Sequence, residues 1–287
     1  MHKLKEFIIE KLILICGLTS IIFVLLIFFF LLKSGLALFK TINIGAFLAG
    51  KNWYPISEPG EFGILPLILG SLLVTLGATT ISVPVGVACA VFISEIAPVK
   101  LKEILKAGIE LLAAIPSVVL GFIGIVTLVP WVKTIFKLPT GLTALSGSIM
   151  LAFMAMPTIV SIAEDALYSV PKSYKEGAFA LGATRWQMIY RVMLPAASSG
   201  ILAAVMLGIG RVIGETMAVM MITGNSAVIP KSILEPVRTL TATIAAEMGE
   251  AVVGSEHYFA LFAVGIVLFI ISFTINVTAD LFLHKKR

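Results

Sequence analysis

Charged residues are scarce in this sequence, because only 13% of its 287 residues are Asp, Glu, Lys or Arg. Soluble globular domains carry about 25% charged residues. Hydrophobic residues make up 59% of the chain, and its mean hydropathy is +1.08. The composition excludes a soluble enzyme and indicates an integral membrane protein surrounded by lipid bilayer. The 21 basic residues form no run with interleaved aromatic residues, so we expect no nucleic acid partner.

Cysteine and histidine are also rare. Cys16 and Cys89 lie in apolar runs, and only three histidines are present. Because no HExxH motif and no cluster of potential ligands occurs, we expect no metal, no cofactor and no catalytic residue. The Walker A sequence G-x-x-x-x-G-K-[ST], which binds the phosphates of ATP, is missing. The chain is therefore predicted not to be an ATPase itself.

Long apolar runs are abundant instead. About 20 apolar residues cross the hydrocarbon core of a bilayer, and six segments are long enough to do so. They are residues 12–32, 64–94, 107–132, 143–163, 197–223 and 259–283. The first run exceeds the roughly 7–15 apolar residues of a signal peptide, so we expect it to remain as a span. The sequence predicts an all-α polytopic protein with six transmembrane helices.

The segments between these runs differ in their content of basic residues. Thirteen Lys and Arg lie in residues 1–11, 95–106, 164–196 and 284–287, against seven in residues 33–63, 133–142 and 224–258. The richer side faces the cytoplasm by the positive-inside rule. Both termini are therefore predicted to be cytoplasmic, with Glu164 and Asp165 solvated at the inner end of the fourth span.

The predicted cytoplasmic segment 164–196 has the pattern of two short helices. Ser173 and Glu176 have the spacing of a capping box, which predicts a first helix from Tyr174. Gly182 predicts a break, and Pro195 predicts the end of a second helix. The second helix has apolar residues at helical spacing, namely Trp186, Ile189, Val192 and Met193. Periodicity alone is also typical of an interfacial helix that Trp186 and Tyr190 anchor among lipid headgroups.

A longer pattern in this segment points to a role other than that of an interfacial helix. Glu176-Gly177-Ala178 is followed by three residues, Gly182, nine residues and Val192-Met193-Leu194-Pro195. This resembles the EAA loop of ABC importer permeases (E-A-A, three residues, G, nine residues, I-x-L-P), from which Gly177 and Val192 depart. The resemblance implies the type I ABC importer permease fold, with a cytoplasmic coupling helix between helices 4 and 5 that docks in a separate ATPase subunit. The residues it implies for this coupling are Glu176, Gly177, Ala178, Gly182, Leu194 and Pro195, with Ala178 and Gly182 on a small-residue face that approaches the partner.

Further stretches are similar to permeases of phosphate-specific ABC importers. They are VTLGATTISVPVGVACAVFISEIAP (74–98), AIPSVVLGFIGI (114–125) and GRVIGETMAVMMITGN (210–225). The last of these, with EPVRTLTATIAAEMGEA (235–251), is more similar to PstC-like subunits than to their PstA-like partners. The similarity covers residues 64–287, which we take as the permease domain. Residues 1–63 are taken as a cytoplasmic tail, the first span and an outside loop.

This resemblance implies a subunit of an ATP-driven phosphate importer in the plasma membrane of a prokaryote. The implied partners are a PstA-like second permease in a heterodimer, two ATP-binding cassette ATPase subunits and an external phosphate-binding protein. The outside segment with Glu247 and Glu250 is expected to be a surface or partly re-entrant helix that receives the binding protein. An importer of another oxyanion, such as molybdate or sulfate, is the alternative within the class. A channel or secondary transporter without an ATPase is the alternative from another class.

Two charges lie inside the fifth predicted span, Arg211 and Glu215. An arginine at the centre of a bilayer costs roughly 2.5–3.5 kcal/mol, so neither side chain is expected to face lipid. In one interpretation they pair at i,i+4 and lock the helix to a neighbour, with Gly210 and Gly214 as a close-packing motif. In the other, they line the transport path, where the Arg211 guanidinium meets the anion bidentately. The two interpretations are compatible.

Overall fold

The computed structural model describes residues 2–284 of the protein, and almost all of them are helical or in short connections. The helices are α1 (His2–Leu36), α2 (Ile44–Ala49), α3 (Leu65–Val91), α4 (Val99–Ala114), α5 (Ser117–Ile123), α6 (Val129–Phe136), α7 (Ala144–Tyr168), α8 (Lys172–Ala180), α9 (Arg185–Met188), α10 (Leu194–Ala196), α11 (Ser198–Gly214), α12 (Met217–Ile222), α13 (Leu240–Glu247) and α14 (Glu256–His284). A 3₁₀ turn, Ala37–Lys40, follows α1, and π turns follow α3 (Phe92–Ile96), α5 (Gly124–Leu128) and α9 (Ile189–Met193). Strands β1 (Trp53–Tyr54) and β2 (Glu61–Phe62) form an antiparallel hairpin.

Five stretches of residues 2–284 are long and apolar enough to cross a membrane. They are span one (Ile9–Lys40), span two (Leu65–Ile96), span three (Ser117–Phe136), span four (Ala144–Tyr168) and span six (Glu256–Thr278). Two helices bent by 71°, Arg185–Ala196 and Ser198–Gly214, make a further span if they are counted together, and the second of them, α11, is called span five here. The all-α, multi-span prediction is confirmed, with five or six spans.

Prolines shape the spans in two different ways. Pro84 and Pro157 lie inside α3 and α7, which continue through them. In contrast, the predicted third span over residues 107–132 is wrong, because the chain breaks at Ile115 and Pro116. Ile115 has extended torsion angles (φ −68°, ψ 127°), as expected for a residue before proline. Residues 107–114 therefore belong to α4, and span three begins at Ser117.

Spans two and four form the centre of the bundle and run in the same direction. A Cβ atom added to Gly77 would lie 2.3 Å from Ser148 Oγ, and one added to Gly86 would lie 2.8 Å from Ile159 Cγ2. These glycines therefore allow the two helices to approach closely. Ile159 also contacts Gly208 of α11, whose added Cβ would lie 2.5 Å from Ile159 Cγ1. One apolar cluster, which includes Val74, Met150, Leu151, Ile159, Val212 and Ile222, joins the three spans.

The bundle has two ends, which differ in what they carry. The loop end is made by residues 92–106 and 164–196, and the hairpin end by residues 41–64 and 223–255. At the hairpin end, Trp53, Phe62 and Leu67 share a buried apolar cluster with Leu240 and Leu261. Span one packs against span six, where Phe28 and Phe269 lie 4.8 Å apart between ring centroids. Residues before and after position 63 thus share one hydrophobic cluster.

Candidate functional site

The segment that resembles a coupling helix forms two short helices at the loop end, as predicted. The predicted capping box of Ser173 and Glu176 is wrong, because α8 begins at Lys172, two residues before the predicted Tyr174. Pro171 is the N-cap with extended torsion angles, so Ser173 lies inside the first turn and its side chain caps nothing. The capping box is in α9 instead, where Thr184 Oγ1 accepts from Gln187 N–H and Gln187 Oε1 accepts from Thr184 N–H.

The residues of the motif lie on two faces of α8. Glu176 and Gly177 are exposed, together with Leu181 at the end of the helix, which is 90% exposed. Ala178 is only 8% exposed and packs into the chain's own apolar cluster. The prediction that Ala178 forms a face toward a partner is therefore wrong. The face that remains open for a partner carries a carboxylate and large apolar side chains.

Gly182 makes the turn between α8 and α9. Its φ is +79°, a left-handed conformation that favours glycine, and its added Cβ would meet no atom within 4 Å. The predicted break is therefore confirmed, and its cause is the backbone rather than close packing. Leu194 is half-buried and Pro195 is exposed in α10, just before the 71° bend into α11. Pro195 lies in the first turn of α10.

A buried carboxylate, Glu95, holds this loop to span two. Lys175 Nζ lies 2.6 Å from Glu95 Oε1, and the Glu95 side chain is only 4% exposed. The guanidinium of Arg185 donates to the backbone carbonyl of the same residue. Sequence reasoning gave Glu95 no role. The available signal was a lone carboxylate at the end of an apolar run, on the same predicted side as a loop with unpaired lysines.

A second buried carboxylate, Glu164, is a correction to the prediction that Glu164 and Asp165 are both solvated. Its side chain is 3% exposed, and both Lys102 Nζ and Lys106 Nζ lie 2.7 Å from its oxygens. The hydrogen bond to Glu164 raises the pKa of Lys106 above its ordinary value of 10.5, so Lys106 is charged at neutral pH. Asp165 is 66% exposed, as predicted. Glu164 thus ties α4 to the end of span four.

Arg211 and Glu215 do not form the predicted i,i+4 pair. The helix ends at Gly214, and Glu215 has extended torsion angles (φ −70°, ψ 132°). Arg211 Nη1 donates instead to Thr158 Oγ1 at 3.3 Å, while Glu215 Oε1 accepts from the N–H of Ala218 at 3.3 Å. Among the ion pairs of residues 2–284, none joins the two side chains. The i,i+4 prediction required an unbroken helix.

The two charges face different surroundings. Arg211 is exposed on α11, while Glu215 is half-buried and lines a small cavity between the break and span six. Hydroxyl-bearing residues from span two and the 239–241 segment share this cavity: Ser71, Thr75, Thr239 and Thr241. The Thr241 hydroxyl donates to the Glu215 carbonyl at 2.9 Å, which satisfies an acceptor freed by the break. The break is thus stabilised by groups outside its own helix.

The exposed face of α11 contains the two glycines of the predicted close-packing motif. Added Cβ atoms at Gly210 and Gly214 would meet no atom within 4 Å, so the prediction that they pack a neighbouring helix is wrong within this chain. Close contacts of α11 occur at Gly200 and Gly208 instead. Leu207, Gly210, Arg211 and Gly214 therefore form an open stripe at helical spacing, which we call the α11 stripe.

The hairpin end has a polar cluster that sequence reasoning missed. The carboxylate of Glu247 accepts from Trp53 Nε1 at 3.0 and 3.2 Å and pairs with Arg238 at 2.5 Å and with His257 Nε2 at 2.9 Å. Trp53 belongs to the hairpin, Glu247 ends α13, and His257 lies in the first turn of α14. The cluster therefore ties three segments together, and an open pocket lies beside it. Glu250, by contrast, is exposed.

Comparisons with known proteins relate the chain to a transporter family and to solved structures. Residues 82–287 match the family described as binding-protein-dependent transport system inner membrane component. The chain is 43% identical over 260 residues to a probable ABC transporter permease, YqgH, of Bacillus subtilis, which covers 90% of this chain and 84% of that protein. It is 36% identical over 259 residues to the phosphate transport system permease protein PstC of Mesorhizobium japonicum, with coverage of 84% and 78%.

Among solved structures, the fold is similar to that of a bacterial alginate ABC transporter in complex with an alginate-bound periplasmic protein. The TM-score is 0.67 at 16% identity, over 96% of this chain and 94% of the other. An inward-facing MetNI methionine ABC transporter gives a TM-score of 0.63 at 20% identity, over 80% and 99%. At these identities the likeness shows that the ABC importer permease fold is present.

Proposed function

Because this chain belongs to the family of inner membrane components of binding-protein-dependent transport systems, we propose that it is a PstC-like permease subunit of an ATP-driven phosphate importer. It is a multi-pass membrane component and not an enzyme, and ATP is hydrolysed by separate subunits. The importer fold also implies a substrate-binding protein as a partner. Phosphate is the substrate because relatives at 32–36% identity are phosphate transport system permeases over most of the chain.

Arg211 is our candidate for the residue that meets phosphate in the transport path. Its guanidinium is exposed and has five N–H donors, of which one binds Thr158. A guanidinium matches a phosphate in a bidentate fork, and charges inside a membrane span are candidates for ion paths. Glu215 lines the cavity behind the break, where its negative charge favours release of the anion over permanent binding.

The α11 stripe is our candidate for the contact with a PstA-like second permease. A charged side chain that faces lipid is costly, and small residues let a second helix approach closely. A heterodimer would therefore cover Gly210 and Gly214 and place Arg211 between the two permeases. Two ATPase subunits would complete the complex at the loop end.

The exposed face of α8 is the proposed contact with an ATPase subunit. Glu176, Gly177 and Leu181 are open there, and the turn at Gly182 presents them away from the bundle. A short helix with apolar side chains suits a groove in a partner. Leu194 and Pro195 lie just before the 71° bend into span five, where they would transmit movement of the loop to that span.

Orientation and domain division complete the proposal. The excess of basic residues at the loop end supports cytoplasmic termini in a prokaryotic cell, with the hairpin end outside and facing a phosphate-binding protein. Residues 64–287 form the permease domain, and residues 1–63 are a tail, a first span and an outside loop. The family match over residues 82–287 lies within the second of these segments.

Transport in a reconstituted complex tests the proposal. The chain, its second permease, the ATPase subunits and the binding protein are placed in vesicles, and uptake of labelled phosphate is measured. We expect uptake to require both ATP and the binding protein. Arsenate should inhibit uptake, whereas sulfate and molybdate should not. Inhibition by sulfate or molybdate would indicate another oxyanion. Uptake by the permeases alone, without ATPase subunits, would indicate a channel or a secondary transporter.

A further inference from the structure

We propose that Glu95 is a positioning residue that fixes both helices of the coupling loop to span two and transmits their movement toward the break in span five. This inference rests on the proposed role of the exposed face of α8 (Glu176, Gly177 and Leu181) as the contact with the ATPase. Glu95 lies outside the motif by which that loop resembles the EAA family.

Two helices that are separated by the turn at Gly182 converge on this one residue. Lys175 of α8 pairs with the Glu95 carboxylate at 2.6 Å, and Arg185 of α9 donates to the Glu95 carbonyl. The Ser94 hydroxyl donates to the same carboxylate oxygen at 3.1 Å. A force on either coupling helix therefore acts on Glu95.

Among residues 2–284, the loop and span two share no further hydrogen bond or ion pair, and their other contacts are apolar. Ala178, Met188 and Ile189 pack in one cluster with Val91 and Ile93. Apolar contacts are non-directional, so they hold the surfaces together but permit sliding. A buried ion pair has a defined geometry, and losing one partner leaves an uncompensated charge. The Glu95–Lys175 pair and the Arg185 hydrogen bond to the Glu95 carbonyl therefore fix the register between the loop and the span, and the pair is the contact that depends on the Glu95 side chain.

Span two connects this anchor to the cavity beside Glu215. The helix is continuous from Leu65 and extends through the π turn to Ile96, with Glu95 near its end. Near its other end, Ser71 accepts a hydrogen bond from the Leu240 N–H at 2.9 Å, and Ser71 and Thr75 line the cavity with Glu215. A rigid element with specific contacts at both ends can couple distant sites. Movement of the coupling loop is thereby passed along span two to the break.

The test measures coupling in the complete reconstituted complex, as phosphate molecules imported per ATP hydrolysed. We expect Glu95→Gln and Lys175→Met each to lower this ratio by at least about fivefold, with basal ATP hydrolysis retained and ATPase subunits still co-purifying. The matched controls are Glu103→Gln and Lys100→Met, which change exposed charges at the same end but outside the coupling loop. They should keep the wild-type ratio. A wild-type ratio in Lys175→Met would overturn the proposal. If Glu95→Gln fails to assemble, Lys175→Met decides the test, because the Lys175 side chain is less buried than that of Glu95.

A cross-link distinguishes positioning from general stability. In a background with Cys16 and Cys89 replaced by alanine, Glu95→Cys and Lys175→Cys are combined and joined by a short thiol-specific cross-linker. We expect low coupling before cross-linking and recovery of at least about half of the wild-type ratio afterwards. A ratio that stays low after complete cross-linking would contradict the proposal. The docking face is tested separately, by substituting Glu176 and Leu181 and measuring co-purification of the ATPase subunits. Unchanged co-purification would contradict the proposed docking face and not the role of Glu95.

Discussion

The guanidinium of Arg211 donates a hydrogen bond to the Thr158 hydroxyl at 3.3 Å, and this contact joins span five to span four. It uses one of the five donors of the arginine, and the side chain is otherwise exposed. If Arg211 only holds two helices together, its role depends on the hydrogen bond to Thr158. If it binds an anion, its role depends on the donors that Thr158 does not use. The two roles therefore predict opposite results for the two residues.

Replacing Arg211 tests its place in the path. We expect Arg211→Gln to reduce phosphate uptake by about 10- to 100-fold, the equivalent of one or more charge-assisted hydrogen bonds. Arg211→Lys should be intermediate, because it keeps the charge and loses the bidentate fork. Thr158→Val is the matched control and should assemble and transport nearly normally. Normal uptake by an assembled Arg211→Gln complex would contradict the path role.

Replacing Gly210 tests the α11 stripe as the contact with the second permease. We expect Gly210→Leu to reduce co-purification of the second permease, because the larger side chain would prevent close approach of a helix. Gly17→Leu in span one is the matched control, since its added Cβ also meets no atom within 4 Å. The control should leave co-purification unchanged. An equal effect of the two variants would indicate a general defect in membrane insertion.

Sequence reasoning predicted the features that depend on composition and local pattern. The apolar runs gave the multi-span helical fold, and the helical spacing of apolar residues on both sides of Gly182 gave two helices with a turn between them. Both depend on residues close together in the chain. Errors arose where a helix was assumed to continue, as at Ile115 and between Arg211 and Glu215. The end of α11 depends on partners such as Thr241, 26 residues away, which no local pattern contains.

The charged contacts show the same limit. Glu95 and Lys175 are 80 residues apart, and Trp53 and Glu247 are 194 residues apart. Each pair forms only because the bundle brings distant segments to one end. For Glu164 the sequence gave an inner-end position but not its burial. Residues 95–106 were assigned to a connection between spans and residues 107–114 to a span, so no helix was predicted to cover Glu164.

A comparison of Gly182 with Gly177 distinguishes the effect of backbone conformation from the effect of available space. Both are exposed and both would have room for a Cβ, but only Gly182 has a positive φ. We expect Gly182→Ala to destabilise the loop by about 1 kcal/mol through left-handed strain and to lower transport. Gly177→Ala should be neutral or stabilising, because alanine is the better helix former. Thermal unfolding and uptake of the two variants check this, and equal behaviour would exclude the backbone as the cause.

Glu164 and Asp165 are neighbours with opposite surroundings. We expect Glu164→Gln to lower the free energy of unfolding by about 2 kcal/mol, because two charge-assisted hydrogen bonds weaken while both lysines stay partly exposed. Asp165→Asn should change it by less than about 0.5 kcal/mol. Thermal unfolding of the purified chain in detergent measures both, and a larger loss for Asp165→Asn would contradict the assignment.

The pH dependence of this contact follows from the raised pKa of Lys106. A lysine whose folded-state pKa lies above its unfolded value contributes stability that is fully present below the ordinary value of 10.5 and is lost as pH rises through the raised pKa. The difference between wild type and Glu164→Gln should therefore stay constant between about pH 7 and pH 9. A difference that disappears within this interval would show that Lys106 is not the partner.

Glu247 and Glu250 form the last matched pair, at the hairpin end. The Glu247 carboxylate accepts from Trp53 Nε1 and pairs with Arg238 and His257, while Glu250 is exposed. An amide at position 247 would turn its NH₂ toward one of these donors, so at least one of them would lose its acceptor. We expect Glu247→Gln to lower the free energy of unfolding by about 2–3 kcal/mol and to expose the 44–62 segment to limited proteolysis. Glu250→Gln should change neither measurement. Equal protection of the segment in both variants would mean that the apolar cluster around Trp53 and Phe62 holds it without the carboxylate.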